Sequence, residues 1–486
     1  MPTNTDLNIP KFIARNDKLL FGIYGIASIL CFCAAIYFKF YLLFALPFTA
    51  LFLLLTLLNF KSVFFLMLLT LPVSVESYIG SFGTDLPSEP MVIILAACTI
   101  LYLIYYKEEW QRNALRHPIF LLIMLLFLWS IFVTIFSTNV FLSVKYLLAK
   151  AWYLLGFLIL PIILLKDKKN IKTFFWCLFI PTFFSVIYVI TRHGLMKFTF
   201  DSITESVQPI YRNHVNYAVF ITMLLPYIFL AKTWYPSNAW KHTLLKYSIL
   251  LFLSAIYFSY TRGAWLAVVA MAAFYVVLRF NLTKYFLMVT AMATIVFSIY
   301  LIKDNNYLKY APNYEHTIYH DELAEHLTST FEMEDMSTVE RFYRWIAAVN
   351  LFKQHPMVGV GPNNFTANYK PYTVTSYETY ISDNEEKSTV HNYFLLLLTE
   401  QGIPALLLYI ILLVTIFLTA QRVYNISSEE NRKYIIAITL CIVSFLFNNT
   451  LSDLVEANKV GSLFFISLAL LINFSSREIS LKDKNR

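Results

Sequence analysis

Charge is what this sequence has least of. Only 14% of its 486 residues are Asp, Glu, Lys or Arg, whereas 58% are hydrophobic and the mean hydropathy is +0.60. A soluble chain of this size has no interior able to hold so much apolar surface, so a water-soluble globular protein is excluded and lipid is the main solvent. Cysteine is scarce as well. All five (Cys31, Cys33, Cys98, Cys177 and Cys441) fall inside apolar runs, where they read as small core residues and not as a disulfide or metal framework. The sequence also lacks internal repeats, low-complexity tracts, the GxGxxG of a dinucleotide fold, and the Asp-x-Asp that holds a nucleotide-sugar metal. The net charge of +8 is scattered over many connectors, which speaks for membrane topology and against nucleic acid.

What is present is a series of apolar runs, roughly 15–22 residues each, from Leu19 to Phe474. They predict an all-α polytopic integral membrane protein with about 12–14 transmembrane helices, including spans at 42–58, 62–80, 215–231 and 393–418. The first 18 residues are polar and basic, with no cleavage signal, so the first span is expected to be an uncleaved anchor. Lys and Arg concentrate in alternate short connectors, which predicts that both termini are cytoplasmic. The chain then divides into an N-terminal transmembrane bundle (1–302), one large outer loop (303–391), and C-terminal transmembrane helices with a cytoplasmic tail (392–486). The abundant Phe and Tyr are core and interfacial-belt residues.

The outer loop is 89 residues long, with 13 acidic and 7 basic side chains. A connector of that length has a function or a fold of its own. Ser337 and Glu340 have the spacing of a capping box, and the helix predicted from Thr338 to about Gln354 carries Phe342, Trp345, Ile346, Val349 and Phe352 as one apolar stripe. Arg341 and Arg344 are neighbours on that helix, either solvated or turned to an anion. The stretch His355–Phe365 (HPMVGVGPNNF) stops the helix at Pro356 and makes a turn through Gly359, Gly361 and Pro362. That turn is either structural or a set of backbone N–H groups for a phosphate. His316 and His320 are four apart, but they are not in an HExxH order; a solvated segment is the plainer reading, as it is for the acidic stretch Phe331–Asp335.

More basic side chains fall at the predicted outer boundary. Arg212 and His214 open one span, Arg262 and Gly263 occupy a tight turn between two others, and His391–Asn392 stand where the loop meets the next apolar helix. Each alone is an interfacial anchor. Together with Arg341 and Arg344 they predict an anion site, suited to the pyrophosphate of a lipid head because a guanidinium stays charged and grips phosphate oxygens with two N–H groups. Arginines there can stabilise a departing pyrophosphate as a divalent metal does elsewhere. The few charges inside spans, Glu76 and Lys150, lie near the outer edge. They are what a transporter or flippase reading, the alternative from another class, has to rest on.

The order of these motifs is Arg-Asn-His (212–214), Thr-Arg-Gly (261–263), Arg-xxx-Trp (341–345), His-Pro-xx-Gly-x-Gly (355–361), and His-Asn (391–392) leading to Gln-Gly (401–402). It resembles the bacterial O-antigen ligase superfamily, which also includes O-antigen polymerases and protein O-oligosaccharyltransferases. The resemblance implies a GT-C-like fold and an inverting, metal-independent glycosyltransferase of the bacterial inner membrane, without cofactor. Its donor would be an undecaprenyl-pyrophosphate-linked glycan used on the periplasmic face, and its acceptor lipid A–core or another glycan. By the same resemblance His391 is the general base, Arg262 and Arg212 bind pyrophosphate, and Arg341 is the loop arginine. Asn392 is expected to orient the ring or the sugar, Arg344 and His214 to join the pyrophosphate site, and Lys150 to assist it. Ligation is the preferred reading, with polymerisation and protein glycosylation as alternatives. Thr261 departs from the family's usual serine, and the span count exceeds the usual one.

Overall fold

The structure, a computed structural model, describes residues 17–39, 41–79, 82–105, 112–303, 306, 336–374 and 388–484. In hydrocarbon each backbone N–H and C=O must bond within its own segment, so the apolar runs fold as helices. In chain order these are α1 (Asp17–Tyr37), α2 (Ala45–Thr70), α3 (Ser88–Tyr105), α4 (Pro118–Thr134), α5 (Val140–Leu154), α6 (Lys168–Leu195) and α7 (Phe200–Val207). They continue with α8 (His214–Lys232), α9 (Trp240–Tyr257), α10 (Arg262–Arg279), α11 (Thr283–Ile302), α12 (Met336–Gln354), α13 (Tyr393–Ile426), α14 (Glu429–Asn449) and α15 (Asn458–Lys484). Among the described residues, 7 helices are long and apolar enough to cross a membrane, and further apolar helices of 10–17 residues accompany them. The protein is an all-α polytopic membrane protein, and its five cysteines are unpaired.

Several boundaries differ from the sequence reading. The span expected at 62–80 ends early: α2 stops at Thr70, a short 3-10 turn covers Leu71–Val73, and Ser74 is extended. Pro72 cannot donate to a continuing helix, and the β-branched and aromatic residues that follow favour a strand. Strand β1 (Val75–Ile79) pairs antiparallel with β2 (Phe82–Leu86), placing Glu76 directly opposite Asp85. Helix α2 breaks at Asn59 (φ −150°, ψ 69°), in the gap drawn between two expected spans. Helix α13 runs past 418 to Ile426 and breaks at Gly402 (φ 77°). In the outer loop α12 begins at Met336, so Ser337 lies inside its first turn instead of at the N-cap; the end at Gln354 is as expected. His316, His320 and the stretch Phe331–Asp335 lie outside the described residues.

The core is built around α14, which packs against α8 and α10, with α15 beside it. Most of the apolar windows of α8 and α15 are buried, 78% and 83%, whereas none of the window of α11 is. Apolar side chains can face outward along α11 only because hydrocarbon, not water, is the solvent there. At one end of the bundle the first turn of α10 and the N-cap of α13 meet the end of α14, and Thr261 ties α10 to the start of α8. There Lys459 of α15 bonds the segment before α8, and the loop helix α12 lies against α13. The opposite end gathers basic connectors, with Lys168 paired to Glu430 at 2.8 Å and Arg432 bonded to the carbonyl of Tyr424.

Candidate functional site

The turn after α14 is the hub. Its carbonyls accept hydrogen bonds from the side chains of two other elements: Thr450 from Asn392 Nδ2 at 3.0 Å and Leu451 from Arg341 Nε at 3.2 Å. Gly263, next to Arg262, lies so close that a Cβ there would meet Asn448 Oδ1 at 3.2 Å and Leu451 at 3.5 Å. Asp453 closes the turn and accepts from the Thr389 hydroxyl. Segments far apart in sequence are thereby held on one short piece of backbone.

His391 is presented into this hub by an uncommon backbone conformation, with φ 55°. A non-glycine residue in the left-handed region is disfavoured unless its surroundings hold it. Asn392 does the holding. Its Oδ1 accepts from the N–H groups of Phe394 and Leu395 at 3.0 and 3.1 Å, the bonds of a helix N-cap, while its Nδ2 donates to Thr450. The group that faces the imidazole is instead Asp453, whose Oδ1 lies 3.8 Å from His391 Nδ1. The His391 side chain is 33% exposed, open enough for a substrate to reach. Burial first, then the charges of Arg344 and Arg341, push its pKa down to about 3, so the free imidazole is neutral at physiological pH. Burial and the charge of Glu456 push the Asp453 carboxyl up to about 6, against the opposing pull of a backbone N–H and of Arg344 and Arg212.

Arg344 is not the solvated arginine that the plainer reading of α12 expects. It is 4% exposed and pairs with Glu340 at 3.2 Å one turn earlier. One carboxylate does not satisfy a guanidinium with five donors, and Arg344 Nε is buried without a hydrogen-bond partner among the described residues. Arg341, beside it, is tied to Leu451. Arg212, just ahead of α8, is exposed at the rim and close enough for its charge to act on Asp453. Arg262 opens α10, and the preceding Thr261 donates to the carbonyl of His214 at 3.5 Å. The His214 ring turns towards α7, with Nδ1 3.0 Å from the Thr204 hydroxyl and the ring 6.0 Å from that of Phe200. The structure therefore groups His391 with Arg341, Arg344 and Arg212, joins Arg262 to them through the Leu451 turn, and sets the His214 imidazole to one side.

The glycine turn has a different role from phosphate binding. Gly359 and Gly361 adopt φ 65° and 98°, and Gly402 adopts 77° where it interrupts α13. These glycines let two stretches of backbone touch: Val360 and Gly361 donate to the carbonyls of Thr399 and Glu400, and Ile403 donates back to Pro356. The N–H groups of Asn363 and Phe365 hold the two carboxylate oxygens of Glu400 at 2.8 and 2.9 Å. The acid group that this turn cradles is thus the protein's own Glu400. Trp129 and Ser130 of α4 fasten the same clasp by bonding Gln401.

Beside the arginines opens a cavity of ≈ 550 Å³, between the β1–β2 hairpin, the segment before α8, and the first turn of α15. Arg212 stands on its wall, as does Glu456, which accepts from Lys150 at 2.8 Å and from the Tyr146 hydroxyl at 3.2 Å. Sequence reasoning passed over Asp453, Glu456 and Glu400. A signal for the first two was present: Ser452–Lys459 is a charged connector between two apolar runs. Glu400 was marked by being an ionisable residue inside an apolar helix.

Fold and site together define a polytopic membrane protein that gathers cationic side chains and one neutral histidine at one end of its helix bundle. Residues 247–410, 164 of the 486, match the family model described as O-antigen ligase, and this supports the O-antigen ligase and polymerase superfamily and a glycan-transferring role. The match runs from α9 into α13. It takes in Arg262, Arg341, Arg344, His391 and Asn392, and leaves Arg212, His214 and Asp453 outside. No curated protein matches the chain.

Proposed function

We propose that the protein transfers a glycan from undecaprenyl pyrophosphate to an acceptor hydroxyl on the periplasmic face of the bacterial inner membrane. The observation that carries this reading is the buried Arg344, with one carboxylate partner and an unpartnered Nε, whose charge reaches a neutral His391. The lipid tail brings the donor's pyrophosphate to the depth of this site. Arg344, Arg341, Arg262 and Arg212 receive its oxygens and stabilise the negative charge that builds up as it departs. The neutral imidazole of His391 takes the acceptor's proton as its oxygen attacks the anomeric carbon from the face opposite the pyrophosphate, inverting the configuration. Guanidiniums do the charge work, so no metal enters the scheme. The basic connectors at the far end of the bundle support a cytoplasmic location for that end and for both termini.

The acceptor is lipid A–core, making the reaction O-antigen ligation. Transfer assays with purified lipid-linked donor test the site: His391→Ala and Arg262→Ala insert normally and lose transfer, the histidine variant by ~10²–10⁴-fold. Full activity in both removes the proposed site. Lipopolysaccharide ladders from a deletion strain test the acceptor, since unligated long chains mark a ligase and single capped repeats a polymerase.

A further inference from the structure

The cavity beside Arg212 has walls that do not suit the pyrophosphate itself. Four carboxylates line it, Glu76, Asp85, Glu89 and Glu456, against two cations, Arg212 and Lys459. Lys459 is already engaged with the carbonyls of Ser74 and Ile210. A phosphate pushed past the rim would meet net negative charge, whereas carboxylates and amides are the groups that accept hydrogen bonds from neutral hydroxyls.

The hairpin makes the arrangement more telling. Glu76 and Asp85 are direct cross-strand partners, and like charges facing each other destabilise a two-stranded sheet. A pairing that works against its own hairpin is the kind of local conflict that functional sites retain. Glu89 keeps the hairpin anchored through Oε2, which accepts from the Thr84 hydroxyl and the Asp85 N–H at 2.9 and 3.1 Å. A second observation points to a missing ligand. Asn458, which lines the cavity and is 8% exposed, donates to Ser88 at 3.0 Å, but its Oδ1 has no partner among the described residues. The Oδ1 of Asn216, also on the wall, has none either. Tyr153, half-buried on the wall, adds aromatic surface for the apolar face of a ring.

We propose that this cavity is a saccharide subsite, binding the hydroxyls of the sugar nearest the pyrophosphate held at Arg212. Its volume falls within the usual range for small-molecule sites, roughly 300–1,000 Å³. The proposal rests on the glycan-transfer reading for the identity of the sugar's carrier. Glu456 links the two places, because it stands on the cavity wall and its charge acts on Asp453 beside His391.

The test uses the full chain in nanodiscs and three probes: undecaprenyl pyrophosphate carrying the glycan, undecaprenyl pyrophosphate without sugar, and free lipid A–core oligosaccharide. Asn216→Ala and the shape-preserving Glu76→Gln are compared with Arg212→Ala, with each variant's fold checked by its melting profile. The expected result is a ~10-fold weaker Kd for the glycan-bearing lipid in both cavity variants, with sugar-free lipid unaffected, while Arg212→Ala weakens both lipids. Weakening of the oligosaccharide alone overturns the proposal, because the cavity then holds the acceptor's sugar and not the donor's. Unchanged binding of all three probes, or equal loss for the sugar-free lipid, overturns the proposal. If the wild-type protein discriminates the glycan-bearing lipid in this way but transfers nothing, the subsite stands and the transferase reading fails.

Discussion

Asp453 Oδ1 and His391 Nδ1 face each other at 3.8 Å, across the junction between the loop and α13. That distance is too long for a hydrogen bond, so in the free protein the carboxylate sits near the imidazole without fixing its tautomer. Protonation of the ring during transfer would create a charged partner for Asp453 and draw the two together. On the proposed scheme Asp453 is a positioning residue for the imidazolium formed during transfer. Asp453→Asn is expected to lower kcat by up to ~10²-fold while leaving the donor KM nearly unchanged, as measured by steady-state transfer. A rise in KM with normal kcat would assign Asp453 to donor binding instead.

The pH dependence follows from the arginines. Burial and the two cations hold the free His391 near 3, so the base form persists at every pH above that, and the acid limb of kcat/KM attributable to this ring lies well below 6.5. A bound pyrophosphate cancels part of the arginine field and favours the imidazolium. The acid limb of kcat is therefore expected at higher pH than that of kcat/KM. Arg344→Gln moves the kcat/KM limb upward for the same reason. Identical limbs near 6.5, indifferent to Arg344→Gln, would contradict this electrostatic account. A limb near 6 that disappears in Asp453→Asn belongs to the carboxyl and not to the ring.

Glycine substitutions in the clasp should damage folding before chemistry. A Cβ at Gly359 would stand 2.3 Å from the Glu400 carbonyl carbon, and one at Gly402 would stand 2.2 Å from the Met357 oxygen, in both cases at positive φ. Gly359→Ala and Gly402→Ala are expected to lose roughly 1–3 kcal/mol or more, with a lower melting temperature in detergent and a reduced yield of inserted protein. Wild-type melting in either variant would mean that the clasp is slack.

Chelation separates the charge-stabilising devices. With guanidiniums as the counter-charge to pyrophosphate, transfer continues in EDTA, and Arg344→Lys, which keeps the charge but not the fork, falls below wild type. Strict dependence on Mg²⁺ would count against the arginine scheme.

Much of the fold could be read from apolar runs, because in lipid each run satisfies its backbone alone. The hairpin could not: its first strand, Val75–Ile79, passes as the tail of the span expected at 62–80, and Pro72 signals the break. At the site, His391, Arg212 and Arg262 stood out as ionisable side chains placed where apolar chain begins. Arg344's burial was hidden because its helix also carries a polar pattern, and pairing with Glu340 cannot be told from a solvated i,i+4 pair in sequence. Asp453 reaches His391 only through the folding of a turn more than sixty residues further on.

The clasp between Pro356–Phe365 and Thr399–Ile403 has a consequence for engineering. Because the backbone that follows α12 is bonded to the helix that begins just after His391, the arginine-bearing loop is not an interchangeable module. A chimaera that imports a relative's loop to alter acceptor choice must bring along the matching Glu-Gln-Gly segment, or the transplanted arginines will be set in the wrong register against the resident histidine.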